Sequence, residues 1–121
     1  GRTITVTPWE KSMLHEIERA IMIANLGFNP MNNGEMIIIN VPALTEERRR
    51  DLAKQAKAEV EDAKVGIRNA RKDANNDIKK LDEISEDLQK NAEVDIQGMT
   101  DSYVKIVEDI FLVKDKEIMT V

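Results

Sequence analysis

"IKKLDEISEDLQK", residues 78–90, decides the fold. Upstream, Leu52, Ala56, Val60, Ala63, Ile67, Ala70, Ala74, Ile78 and Leu81 recur at spacings of three and four, the mark of one apolar helix face. Downstream, Leu88, Ala92, Ile96, Met99, Tyr103, Ile106, Ile110 and Val113 do the same. Between them the pattern breaks at Asp82–Ile84, and Ser85 followed by Glu86 and Asp87 is an N-cap with acidic residues in the first turn. Two helices of about 35 residues, roughly 50 Å each, joined by so short a break must run antiparallel. The first starts after Thr45, a second N-cap, with Glu46 and Glu47 behind it. The second also carries Val104, Val107 and Phe111 beside its main stripe, an apolar arc wider than one neighbouring helix covers. The hairpin therefore reads as part of a three-helix bundle.

The first 42 residues carry a different pattern. Residues 2–7 alternate Ile4 and Val6 with threonines, a half-buried strand. Thr7 and Glu10 bracket Pro8 as a capping box with proline at the first helical position. Met13, Leu14, Ile17, Ala20, Ile21 and Ala24 then share a helix face, with Gly27 as the stop. "NNG" at 32–34 is a turn, and "MIIINV" at 36–41 reads as a strand buried on both faces, ended by Pro42. Trp9 and Phe28 are expected in the core, as are the six methionines. Two strands and a helix bury such a run poorly, so further strands are expected. The fold class is α+β: a long antiparallel helical hairpin over residues 44–121 and a small, incomplete β-α-β domain over residues 1–43. Gly66 and Gly98 are equidistant from the turn and are expected to face each other.

Composition narrows the chemistry. The 121 residues contain no cysteine, which removes disulfides, thiolate metal sites and thiol catalysis. No apolar run approaches the roughly 20 residues of a membrane span. The one histidine, His15, reads as a solvated helix residue, and no nucleophile elbow or phosphate-cradling glycine loop is present. Asp73 and Asp77 lie at i,i+4 among basic residues, as intrahelical ion-pair partners rather than metal ligands. The pattern requires no cofactor and no metal, and does not read as an enzyme.

Charge is unevenly placed. The chain carries a formal net charge of -5, yet residues 64–80 hold six basic and two acidic side chains. Lys64, Arg68, Arg71, Lys72, Asn75 and Lys79 follow one residue behind the core stripe, turned by about 100°. They form a basic line suited to phosphates, because local charge survives within a Debye length of about 8–10 Å and guanidinium forks match phosphate oxygens. The competing reading is a solvated helix face laced with salt bridges.

"VTPWEKSMLHEIERAI", "NNGEMIIINVPALTEERRRDLAK", "AKVGIRNARKDANNDIKKL" and "DKEIMTV" closely resemble bacterial-type ribosome recycling factor, from about Arg2 to Val121. The resemblance implies a long three-helix bundle with a small β-rich domain inserted between its first and second helices. The chain is then expected to begin partway through that domain, leaving a first helix and early strands unaccounted for. It implies a cytoplasmic protein that binds the post-termination ribosome. Its partners are the large ribosomal subunit with its rRNA, and elongation factor G, with which it splits the subunits. Arg68 and Arg71 match the family's RNA-contacting arginines, and Lys72 stands where a further arginine is common. Val41, Pro42, Ala43 and Leu44 match the inter-domain hinge, with Ala43 replacing a proline. Without a third helix the bare apolar face is expected to drive self-association. The alternative is a helical-hairpin interaction module that pairs with a partner helix without touching RNA.

Overall fold

The structure, a computed structural model, describes residues 1–120; Val121, where the resemblance ends, lies outside the described residues. The chain forms two units, Gly1–Leu44 and Thr45–Val121.

The first unit is a three-stranded antiparallel sheet with one helix: β1 (Thr3–Val6), α1 (Leu14–Ala24), β2 (Pro30–Asn32) and β3 (Ile37–Asn40), in the order β1-β3-β2. Ile4 opposes Ile39 across β1 and β3, and Pro30 opposes Ile39 across β2 and β3. Directly opposed residues share a face, so this register sets Val6 beside Ile37 and Pro30 beside Ile39 on the core side, while Met31 and Ile38 pair on the other. Leu14 of α1 closes the core with Ile37 and Ile39, and Val6, Ile17, Ile21 and Phe28 pack around them. Gly34 (φ 86°) turns the β2–β3 hairpin. Its amide donates to Asn32 Oδ1 at 2.8 Å, and Asn33 Oδ1 accepts from the amides of Glu35 and Met36 at 3.0 and 2.8 Å.

Several expectations for this unit are corrected. β2 is a third strand that the sequence pattern did not reveal, and β3 is buried on one face only: Ile37 and Ile39 are covered while Ile38 is half-exposed. The capping box does not form. Glu10 is extended without a side-chain cap, residues Lys11–Met13 make one 3-10 turn, and α1 begins at Leu14, a residue of the buried core. Asn25, at φ 48°, takes the left-handed cap position before Gly27 is reached, a conformation that asparagine tolerates. Trp9 is fully exposed rather than in the core, and five methionines (Met13, Met22, Met31, Met99, Met119) are exposed. His15 is solvated, with Nδ1 3.7 Å from Glu18.

The second unit is the hairpin of α2 (Glu46–Lys79) and α3 (Glu86–Met119), 34 residues each. Both predicted N-caps form: Thr45 Oγ1 accepts from the Arg48 amide at 3.1 Å, and Ser85 Oγ from the Leu88 amide at 3.3 Å. Cross-helix bonds set an antiparallel register, with Lys64 level with Glu108 and Arg71 level with Gln97. At the open end, Arg49 Nη1 donates to the carbonyls of Ile118 and Thr120 at 2.6 and 2.7 Å. Those are carbonyls at the α3 C-terminus, where a cation also complements the helix dipole.

The seam on α3 is rotated from the expected stripe. Ala92 and Ile96 are covered as expected, but beyond them the covered apolar positions are Val104, Val107, Phe111 and Ile118, and the Thr100 hydroxyl, buried with them, donates to the Ile96 carbonyl at 2.8 Å. Leu88, Met99, Tyr103, Ile106, Ile110 and Val113, expected against α2, are exposed. The expected facing of Gly66 and Gly98 also fails, because the register places Gly98 beside the level of Arg71. A Cβ at either glycine would meet nothing within 4 Å. Replacing either with alanine should therefore raise hairpin stability by about 0.5–1 kcal/mol through the helix-propensity gain, read as a rise in the denaturant midpoint with unchanged m-value.

Candidate nucleic-acid interface

The six residues of the basic line all lie on α2, and the hairpin sorts them into two groups. Lys64 and Arg71 stand at the seam. Lys64 Nζ lies 2.9 Å from Glu108 and 3.8 Å from Glu61, with 19% of its side chain exposed. The hydrogen bond that Lys64 donates to Glu108 is the main cause that raises its pKa above 10.5. A raised lysine pKa contributes stability that is present at neutral pH and is lost only as pH climbs past that value. Lys64 is thus held at the seam with two carboxylates beside its charge.

Arg71 is tethered differently. Its Nη1 donates to Gln97 Oε1 at 3.0 Å, and Gln97 Nε2 in turn donates to Asp101 Oδ1 at 2.9 Å. Asn75 is half-buried, and its Oδ1 is covered and unpaired among the described residues, so that oxygen is not offered to a ligand.

Arg68, Lys72 and Lys79 are exposed, and none of them forms an ion pair among the described residues. Positions i, i+4 and i+11 fall within about 40° of one another around a helix of 3.6 residues per turn, and span about 16 Å along it. They border an open groove of about 440 Å3 that also takes in Arg71, Asn75 and, across the seam, Gln97. The salt-bridge reading of this edge holds for Lys64 and for Lys80, whose Nζ lies 3.1 Å from Asp77 Oδ1, and fails for these three cations. On the other side of the seam a second groove, of about 290 Å3, is apolar and runs between Ile67, Ala70 and Ala74 of α2 and Met99 and Tyr103 of α3. Arg71 borders both grooves.

Gln97, Asp101 and Glu108 were not legible as partners of the basic line. Their relevance depends on the hairpin register, which the sequence fixes only to within a turn or so. Among the described residues no cluster of histidine, cysteine, aspartate or glutamate could hold a metal ion, and no helix is long and apolar enough to cross a membrane.

Comparison with known proteins bears on this geometry. The family profile for ribosome recycling factor matches residues 1–119. The ribosome-recycling factor of Flavobacterium johnsoniae is 63% identical over 123 aligned residues, covering 100% of this chain and 66% of the relative. That of Bacteroides thetaiotaomicron is 57% identical with the same coverage. A solution structure of ribosome recycling factor superposes with a TM-score of 0.67 at 38% identity, covering 99% of this chain and 65% of that one. A T. thermophilus ribosome recycling factor, described with E. coli elongation factor G bound to the E. coli post-termination complex, superposes with a TM-score of 0.56 at 40% identity. The chain spans about 66% of the length of the curated relatives it matches.

Proposed function

We propose, from the premise that this chain belongs to the ribosome recycling factor family, that it docks on post-termination ribosomes through the basic edge of α2. The surface gripped is large-subunit rRNA, and the outcome, reached together with elongation factor G, is separation of the subunits. The work is positional rather than catalytic, and its setting is the cytoplasm. Residues 44–121 supply the hairpin of the bundle, residues 1–43 part of the inserted domain, and Val41–Leu44 the hinge. What carries the reading is that Arg68, Lys72 and Lys79 stand exposed in one line without carboxylate partners among the described residues, in a chain of net charge -5. An acidic protein that leaves three aligned cations uncompensated has a local surface for a polyanion, and a folded RNA backbone is read mainly through phosphates and shape.

The test is binding to purified large ribosomal subunits across a salt series. Arg68→Glu combined with Lys72→Glu should weaken binding at least tenfold and flatten the log K against log[salt] slope by roughly 1.4–1.8, the loss of two phosphate contacts. Equal affinity and equal slope would remove the basic edge from the interface.

A second reading rests on the exposed apolar stripe of α3. Met99, Tyr103, Ile106, Ile110 and Val113 form a bare face along more than three turns. We assign it to association with a second copy of this chain whenever no further helix covers it, or, in the module reading, to a partner helix.

A further inference from the structure

Arg71 and Lys64 are both basic residues of α2 held by polar residues of α3, but the two tethers are chemically opposite. Glu108 is a carboxylate and cancels the Lys64 charge. Gln97 is a neutral amide: it accepts one of the five N–H donors of the guanidinium and leaves the charge intact. The amide is itself directed. Asp101, one turn further along α3, accepts only, so it takes the Nε2 donor and leaves Oε1 for Arg71. An amide between a cation and an anion has one orientation that satisfies both, and Gln97 adopts it.

Resting on the proposal that this edge grips RNA, we infer that Gln97, oriented by Asp101, is a positioning residue that pre-sets the Arg71 guanidinium for a phosphate. Arginine is rotamer-rich, and fixing it on binding costs affinity that a preformed tether avoids. The saving corresponds to about threefold to tenfold in affinity. Gln97 supplies no charge of its own to the contact, so its removal should leave the salt dependence nearly unchanged.

The experiment is a double-mutant cycle on binding to large ribosomal subunits at several salt concentrations, with folding followed by helical circular dichroism. Gln97→Met keeps the length and removes the acceptor. It should weaken binding about threefold to tenfold with an unchanged salt slope, and should have no effect when Arg71→Ala is already present. Gln97→Glu, of the same shape but charged, should weaken binding further and flatten the slope by roughly 0.7–0.9, because it neutralises Arg71. If Gln97→Met perturbs folding, Gln97→Ala, which also removes the acceptor and suits a helix, replaces it with the same expectations. Unchanged affinity in Gln97→Met while Arg71→Ala weakens binding overturns the positioning role and leaves the docking edge standing. An equal loss from Gln97→Met with and without Arg71 also overturns it. Unchanged affinity and slope in Arg71→Ala remove this arginine from the interface, and the positioning role with it; the Arg68 and Lys72 reversal still tests the edge independently.

Discussion

Ile37→Ala is expected to unfold the small unit while leaving the hairpin helical. Ile37 is 0% exposed and forms the buried apolar core of that unit with Leu14 and Ile39. Truncating a buried isoleucine to alanine costs about 2–5 kcal/mol. A unit of this size buries too little surface to hold a reserve of that magnitude. Amide hydrogen exchange checks the outcome: protection at the β1–β3 and β2–β3 ladders should disappear, while protection along α2 and α3 persists. Retained protection in the sheet would mean that its stability rests on something other than this core. Trp9 fluorescence will not report the change, because the indole is already fully exposed.

The second large effect concerns the bare face of α3. At micromolar concentration the chain is expected to self-associate, and Ile106→Lys with Ile110→Lys is expected to return it to a monomer. These residues are 49% and 63% exposed, so covering the exposed part is worth about 1 kcal/mol or more each. In a symmetric pair both copies lose both residues, and two introduced ammonium groups must also be desolvated on each side. Dissociation should strengthen by at least a hundredfold, or about 2.8 kcal/mol at 1.4 kcal/mol per tenfold. Sedimentation velocity over a concentration series reads the result. A compact wild-type monomer that binds no hydrophobic dye would show that the stripe needs no cover.

These expectations differ in how much of their basis was legible in the sequence. The two N-caps were, because a threonine or serine followed by acidic residues acts within one turn and consults nothing distant. The hairpin followed from helical period and a short break. The angle of its seam did not. Helix α3 carries two adjacent apolar stripes, and periodicity cannot say which one meets α2: the choice fell on Val104, Val107 and Phe111 because the partner helix and its register are tertiary facts. Strand β2 was invisible because Pro30-Met31-Asn32 has poor strand propensity, tolerated because β2 is an edge strand. Trp9 was misplaced because residue type alone suggested burial, with no periodicity to place it on a face. In the basic line the charges were legible and their partners were not. Lys64 is cancelled by a glutamate 44 positions away, and Arg71 is steered by an amide 26 positions away.

The grip of Arg49 on the last carbonyls of α3 has a mechanical meaning. The hairpin is shut by a covalent bend at one tip and latched by a guanidinium at the other. Two struts pinned at both extremities resist scissoring, so a push on one tip travels the roughly 50 Å to the opposite tip instead of being spent in splaying them apart.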